Sequence, residues 1–246
     1  MDADDGAMSI VTERSLRRFA GANERIAAVI PALNAERSLG EVIRGARREL
    51  EFVIVVDDGS TDRTSLIARA NGATVLRHEV NRGKGQALKT AFAYALRNGF
   101  DGVVTLDADG QHLPSEIPKL LNARQETGAD LIIGGRSHHF AAMTSRRRLA
   151  NRFSAWSIAK ASGVRVTDSQ SGFRYYSANL IRNMKLRTDG FALESEVILR
   201  AGRGGYRVVT VPIELGFVDG ISTSHYRPVN DTLRIAWVVL RTTMGW

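Results

Sequence analysis

Short runs of Val, Ile and Ala alternate along the chain with longer segments whose apolar residues recur at helix spacing. The apolar runs lie at 26–31, 51–58, 73–78, 102–107 and 129–134. Each run has the length of a strand, and a strand without polar alternation is typical of one that is buried on both faces. Several of the helical segments between them end in Gly, a common helix C-terminus. This order predicts an α/β fold with a mostly parallel sheet flanked by helices.

The alternation stops after about residue 135, where a basic segment and a Gly- and Ser-containing segment follow. We still expect a helix at 190–202 and a strand at 206–215. The longest late apolar run, 235–240, is far shorter than the roughly 20 apolar residues that a membrane-spanning helix needs. We therefore expect no membrane span.

The chain is predicted to form a single domain. Residues 1–25 lack the apolar stretch of a signal peptide, and we interpret them as a flexible N-terminal leader. The domain would cover 26–246, within the size that one core can support. We expect a nucleotide-binding half at 26–135 and an acceptor-binding half at 136–246.

Two polar clusters follow predicted strands. The sequence VDDGSTD occupies 56–62, and DADGQH occupies 107–112. In parallel α/β sheets, ligands bind beyond the carboxyl ends of the strands. The position of both clusters at such ends therefore predicts a ligand site.

Asp107 and Asp109 are spaced so that both carboxylates can reach one ion at a strand end. Hard oxygen ligands of this kind suit Mg²⁺ or Mn²⁺ bound together with substrate phosphates. Gln111 and His112 are near enough in sequence to add a ligand or to support one. The alternative interpretation is a polar turn, because Asp-Xaa-Asp is common by chance.

The segments at 56–62 and 81–88 each allow a structural interpretation and a ligand-binding interpretation. Gly59 permits a tight turn that would cap the next helix, yet the adjacent Asp57 and Asp58 also suit contacts to a base or ribose. Lys84, in the Gly-rich NRGKGQAL, is available for phosphate, or the segment is only a flexible helix start. It is not a Walker loop, since no GxxxxGK[ST] is present.

The net charge and the absence of Cys limit which partners the protein can favour and which chemistry it can use. The net charge of +8 favours anionic partners such as nucleotides, phosphates or acidic lipids, and would suit nucleic acid equally well. The absence of Cys excludes disulfides, thiolate metal sites and a Cys nucleophile.

Seven segments occur in an order that resembles the family 2 glycosyltransferases. They are IPALNAERSLGEVI, VVDDGSTDRT, NRGKGQAL, LDADGQH, IIGGR, DSQSGFRYY and GFALESE. The likeness is greatest to the dolichyl-phosphate mannose synthase and polyprenyl-phosphate glycosyltransferase branch, and it extends over about 26–230. The resemblance implies a GT-A fold with a Rossmann-like sheet, a divalent metal (Mg²⁺ or Mn²⁺), a UDP- or GDP-sugar donor and inversion at the anomeric carbon.

The resemblance also assigns roles to residues on the donor side. Asp107, Asp109 and Gln111 match the metal and diphosphate motif, and Arg136 matches an arginine near the phosphates. The residues that match contacts to the nucleoside are Pro31, Ala32, Asn34, Glu36, Asp57 and Asp58. Many relatives have Tyr where this chain has Leu33, so base stacking at that position is not expected.

The acceptor side is predicted from the second half. Arg147 and Asn151 lie in a basic amphipathic segment that suits a membrane surface or a solvated helix. The resemblance places acceptor-phosphate contacts in this segment and implies that His225 with Arg227 closes over the diphosphate. Asp168, Glu194 and Glu196 are the candidate bases, since the resemblance places their segments on the acceptor side. Asp168 could instead cap a turn through Ser169 and Ser171. Glu194 and Glu196, two residues apart, cannot share a helix face. We expect the catalytic residues to be Asp109, Arg136, Asp168 and Glu194.

The expected function is transfer of a sugar to a polyprenyl phosphate at the inner face of the cytoplasmic membrane, with peripheral membrane contact and no nucleic-acid partner. The first alternative is a family 2 enzyme with a hydroxyl acceptor. A non-catalytic phosphate- or membrane-binding protein on the same fold is the alternative of another class. A sugar-nucleotide pyrophosphorylase is disfavoured, because the opening loop lacks the Gly-rich signature with its lysine.

Overall fold

The computed structural model describes residues 24–136, 155–188, 190 and 192–216. Within these residues the chain forms a seven-stranded sheet in the order β3-β2-β1-β4-β6-β5-β7. The strands are β1 (Ile26–Ala32), β2 (Phe52–Asp57), β3 (Thr74–Arg77), β4 (Gly102–Thr105), β5 (Leu131–Gly135), β6 (Arg174–Ser177) and β7 (Val208–Pro212).

Among the described residues, six helices with defined bounds flank this sheet. They are α1 (Leu39–Glu49), α2 (Thr64–Ala70), α3 (Lys84–Arg97), α4 (Ile117–Thr127), α5 (Ala178–Asn183) and α6 (Ala192–Arg203). A 3-10 turn, Pro114–Glu116, precedes α4, and residues 155–162 are also helical. No helix within the described ranges is long and apolar enough to cross a membrane.

The core has two layers because alternate side chains of each strand point to opposite faces of the sheet. In β1, Ala27 and Val29 belong to one cluster, together with apolar residues of α3 and α6. Ala28 and Ile30 belong to the other cluster, with residues of α1 and α4. Both faces are thus covered by helices, which confirms the predicted α/β architecture with a mostly parallel sheet.

The second half of the sheet departs from the simple pattern. β6 pairs antiparallel with both β4 and β5, and so lies between two strands that the chain forms earlier. The β-α alternation of the sequence stops after residue 135, which is where the chain departs from the parallel pattern and later inserts β6 between β4 and β5. β3 is one of the two edge strands of this sheet and its residues are only partly covered, so the expectation that 73–78 is buried on both faces was wrong.

The amino-terminal boundary also differs slightly from the prediction. The backbone N–H of Arg25 donates to Asp101, and its guanidinium lies over the rings of Phe52 and Phe100. Glu24 forms an ion pair with Arg124, 2.6 Å apart. These contacts attach residues 24 and 25 to the domain, although we expected them to belong to the leader.

The parallel strands β1, β2 and β4 bring three loops to one edge of the sheet. β1 lies between the other two, and Ala32 at its end pairs with Asp57 at the end of β2. The loops at 33–38, 58–62 and 106–112 therefore emerge side by side. These are the loops that contain the predicted site residues of the first half.

Candidate functional site

The loop after β1 is hydrogen-bonded to the loop after β2. Asn34 adopts φ 50°, a left-handed conformation that Asn tolerates better than most residues. Its backbone N–H donates to Ser60 Oγ over 2.9 Å, and its side-chain oxygen accepts from the N–H of Thr61 over 2.9 Å. Pro31 and Ala32 are the last residues of β1 and lead directly into this loop. The predicted nucleoside-binding segment thus has a fixed backbone.

Glu36 lies on the outer part of the same loop. Its carboxylate accepts from the backbone and side-chain N–H groups of Arg63, at 3.2 and 3.3 Å, and its own N–H donates to Asp62. The Arg63 side chain is 74% exposed, so solvent screens this ion pair. The contacts describe a loop-to-loop link, and the predicted contact of Glu36 with substrate stays a prediction.

Asp57 and Asp58 are buried at the end of β2, and each has several hydrogen-bond donors. Asp57 accepts from the N–H of Ser60 over 2.8 Å and from the hydroxyl of Ser65. Asp58 accepts from the N–H groups of Arg82 and Gly83, at 2.9 and 2.7 Å. Asp57 therefore fixes the turn into α2, whereas Asp58 joins the loop after β2 to the start of α3.

A buried histidine completes the arrangement around Asp58. The Nδ1 atom of His78 lies 2.7 Å from the Asp58 carboxylate, and its Nε2 lies 2.9 Å from the hydroxyl of Thr90. A carboxylate can only accept, so Nδ1 carries the proton in that contact. His78 was not identified from the sequence, because a lone His at the end of a strand has no distinctive pattern.

The predicted metal ligands lie in the loop after β4. Asp107 and Asp109 are only partly buried, in contrast to Asp57 and Asp58. Asp109 accepts from the N–H of Gln111 over 3.0 Å, and the hydroxyl of Ser38 donates to the carbonyl of Ala108 over 2.6 Å. The loop is thus held by its backbone while both carboxylates remain accessible.

His112 is buried directly behind Asp107. The N–H of Asp107 donates to His112 Nδ1 over 3.2 Å, and the imidazole stacks on Phe173. Burial lowers the pKa of His112, although the charge of Asp107 opposes that shift. Since Nδ1 accepts from a backbone N–H, the neutral ring is the form that fits.

Lys84 connects Asp107 with Glu194 at the centre of the site. Its Nζ atom lies 2.6 Å from Asp107 Oδ1 and 2.9 Å from Glu194 Oε1. Burial alone would lower the pKa of Lys84, but the two carboxylates outweigh it and hold that pKa above its usual range. Burial would raise the pKa of Asp107, yet Lys84, with smaller effects from His112 and Arg136, holds it well below its usual range.

Arg136 and Asp168 form a second buried pair nearby. The guanidinium donates to the carboxylate through two atoms, at 2.7 and 3.1 Å, and Asp168 also accepts from the N–H of Gln170. Burial would raise the pKa of Asp168, but Arg136 keeps it below its usual range. Such a carboxylate is a poor proton acceptor, so the geometry favours Asp168 as the partner that positions Arg136.

The two glutamates of α6 point in different directions, as residues two apart on a helix must. Glu194 faces Lys84. Glu196 instead accepts from the N–H groups of Arg187 and Thr188 and from the side chain of Arg200. Only Glu194 therefore lies in the candidate site.

Gly172 and Arg174 were missed as site residues by the sequence interpretation. A Cβ atom on Gly172 would lie 2.8 Å from Lys84 Nζ and 3.0 Å from Asp107 Oδ2. The Arg174 guanidinium is fully buried and donates to the carbonyls of Ser171, Glu194 and Ser169, at 2.6, 2.7 and 2.8 Å. Arg174 thus fixes the loop before β6 against the start of α6, and Gly172 leaves room for the lysine.

Four predicted acceptor-side residues lie outside the described residues: Arg147, Asn151, His225 and Arg227. Their roles stay predictions. Trp156, at the end of the same basic segment, is 59% exposed, and the ammonium of Lys160 lies over its ring.

The donor set of the β4 loop fits a hard divalent cation. Asp107 and Asp109 supply carboxylate oxygens that are accessible at the sheet edge, and the low pKa of Asp107 keeps it charged. In the part of the chain that the structure describes, no group of three or more His, Asp or Glu side chains could hold a metal. Two carboxylates are a donor set that suits Mg²⁺ or Mn²⁺ with phosphate oxygens as further ligands.

Residues 27–190 match the family model of glycosyl transferase family 2. The chain is 33% identical to the undecaprenyl-phosphate mannosyltransferase of Micrococcus luteus, over 77% of this chain and 82% of that protein. It is 31% identical to the polyprenol monophosphomannose synthase of Mycolicibacterium smegmatis, over 83% of each chain. The chain belongs to glycosyltransferase family 2.

A solved structure confirms the GT-A fold. Glucosyl-3-phosphoglycerate synthase from Mycobacterium tuberculosis, in complex with Mn²⁺, UDP and glucosyl-3-phosphoglycerate, superposes with a TM-score of 0.65 at 23% identity. The match covers 94% of this chain and 82% of that one. At this identity the likeness extends to the fold alone.

Proposed function

We propose that the protein transfers a sugar from a UDP- or GDP-sugar to a polyprenyl phosphate, with inversion and with a divalent metal at Asp107 and Asp109. The observation that carries this proposal is the accessible Asp107 carboxylate beside Lys84, at the edge where the strands β1, β2 and β4 end. The relatives named for undecaprenyl-phosphate and polyprenol substrates support the acceptor class.

The residues of the donor side have distinct parts in this reaction. The loops that carry Asn34 and Asp58 frame the nucleoside, and their hydrogen bonds fix that frame before the donor binds. Lys84 directs its ammonium at the diphosphate, and Arg136, held by Asp168, adds a second cation beside it. A bound divalent ion supplies Lewis-acid stabilisation of the diphosphate leaving group.

A phosphate monoester needs little activation as an acceptor. Its second pKa is near 6, so a polyprenyl phosphate is already a nucleophilic anion at neutral pH. Cationic groups that position it matter more than a general base. The basic segment with Arg147 and Asn151 is assigned this role, together with peripheral contact to the inner face of the cytoplasmic membrane.

A hydroxyl acceptor is the second candidate, and the position of Glu194 favours it. Glu194 is a buried carboxylate beside the predicted diphosphate position, where a hydroxyl nucleophile would need a base. Glu194 is also paired with Lys84, and a base must first lose such a partner. We therefore prefer the phosphate acceptor.

Sugar transfer from labelled donors tests the proposal. We expect the purified chain with Mn²⁺ to transfer label from a UDP- or GDP-sugar to polyprenyl phosphate in detergent. Transfer only to sugar or glycerate hydroxyls would favour the second candidate. A chain that neither binds nor cleaves any nucleotide sugar in the presence of metal would leave only a non-catalytic binding protein.

A further inference from the structure

Lys84 occupies an unusual position for a lysine. It is the first residue of α3, and Gly83 before it has φ 86°. The N-terminal end of a helix carries partial positive charge, so a cation there is unfavourable for the helix itself. Two carboxylates offset that cost, Asp107 at 2.6 Å and Glu194 at 2.9 Å. The place of this lysine is therefore explained by the site and not by the helix.

The surroundings are shaped to admit the ammonium group. Gly172 lies against it, and any larger residue would approach Lys84 Nζ and both oxygens of Asp107. Arg174 fixes the loop that contains Gly172 to the start of α6, and so also fixes the distance to Glu194. The ammonium group of Lys84 therefore lies in a space shaped for it, next to Asp107, which is a predicted metal ligand.

We infer that the Lys84 ammonium occupies the divalent-cation position at Asp107 until a nucleoside diphosphate binds. Binding of the metal and binding of the diphosphate are then positively coupled, so that each ligand strongly increases the affinity for the other. The inference rests on the proposed function, since it assumes that Asp107 takes part in metal binding.

Electrostatics gives the reason for the coupling. A divalent ion that approaches Asp107 meets an ammonium already 2.6 Å from the same carboxylate, so binding of metal alone must displace or repel a cation. A diphosphate changes the balance, because it brings several negative charges that can accept hydrogen bonds from Lys84. The flexible lysine side chain can then turn from Asp107 to the phosphates and leave the carboxylate to the metal.

Linkage makes the effect reciprocal. If a diphosphate tightens metal binding by some factor, the metal must tighten diphosphate binding by the same factor. The wild-type chain should therefore bind Mn²⁺ weakly alone, and at least about tenfold more tightly with UDP or GDP present.

The test is a titration of the full chain with Mn²⁺, followed by electron paramagnetic resonance, with and without saturating UDP or GDP. For Lys84→Met we expect Mn²⁺ alone to bind at least about threefold more tightly than to wild type, and the coupling to nucleotide to fall by at least about threefold. Lys84→Arg keeps the charge and should bind Mn²⁺ alone as weakly as wild type.

Lys119→Met is the matched control, because Lys119 lies in α4 and its ion pair is with Glu116. It should bind Mn²⁺ as wild type does, and thermal unfolding of each variant checks that it folds. If Lys84→Met fails to fold, the arginine variant still decides, since an increase in its affinity for Mn²⁺ alone would contradict a role that depends on charge.

The outcomes separate the inference from the function on which it rests. Equal affinity of wild type and Lys84→Met for Mn²⁺ alone, with nucleotide and metal still binding together, overturns the role of Lys84 and leaves the proposed function intact. A wild-type chain that binds neither Mn²⁺ nor nucleotide overturns both.

Discussion

The two acidic pairs of the first half have the same residue type and similar positions at strand ends, but different surroundings. Asp57 and Asp58 are buried and accept hydrogen bonds from backbone N–H groups close by. Asp107 and Asp109 are partly exposed, and the charge next to Asp107 comes from a flexible lysine. The first pair is held by framework contacts, and its predicted contact with the nucleoside stays a prediction, whereas the second pair is accessible to a ligand. Substitutions should therefore affect stability in one pair and activity in the other.

The largest effect should follow from Asp109→Ala. This change removes a predicted metal ligand and leaves the buried core intact, so we expect a loss of about 10²- to 10³-fold in donor cleavage. The free energy of unfolding should change by no more than about 0.5 kcal/mol. A cleavage assay with Mn²⁺ and urea unfolding measure the two quantities. Retained cleavage would remove Asp109 from the metal site.

Asp57→Ala should show the opposite behaviour. The charged hydrogen bonds to Ser60 and Ser65 would be lost and their donors left buried, at a cost of about 3 kcal/mol in the free energy of unfolding. Urea unfolding measures this cost, with Asp109→Ala as the matched control. A change below about 1 kcal/mol would contradict the framework role of Asp57.

Asp168→Asn tests whether the ion pair between Asp168 and Arg136 contributes to stability, as we expect for Asp57, or has little effect on it, as we expect for Asp109. The folded pKa of Asp168 lies below its unfolded value of about 3.9, so its contribution to stability is present above that pH and is lost as the pH falls through the folded pKa. At pH 7 we expect the variant to lose about 3 kcal/mol. The difference from wild type should shrink below about pH 4, and urea unfolding at several pH values would show it. A pH-independent difference would contradict the ion pair as its source.

The smallest effect should come from Arg63→Ala. Its ion pair with Glu36 is exposed, and we expect a change of about 0.5 kcal/mol or less in unfolding free energy. Urea unfolding at low and high salt measures it. A loss comparable to that of Asp57→Ala would mean that burial does not separate the two kinds of contact.

Local patterns predicted most of the first half of the fold. The first five strands were identified because their apolar runs are of strand length and are separated by helical periodicity. β6 was missed because RYYS is only four residues long and follows a Gly- and Ser-containing segment. Its aromatic residues become buried only when β4 and β5 take positions on either side of it.

The site was predictable to the extent that its residues are close in sequence. Asp107 and Asp109 could be identified from their spacing and their place after a strand. The contact between Lys84 and Glu194 could not, because it depends on the sheet bringing the starts of α3 and α6 together. The environment of Asp168 was missed for the same reason, since its partner Arg136 lies on another strand end.

The antiparallel strand β6 also has a consequence for the order in which the protein can fold. β4 and β5 are not neighbours, and the space between them is filled by residues 174–177, which are synthesised later. A nascent chain that has been synthesised only up to residue 173 leaves the facing edges of β4 and β5 unpaired. Such edges are prone to mispairing, and closing them requires contacts between distant parts of the chain. β1 to β4 can assemble during synthesis, whereas closure of the sheet must wait for β6.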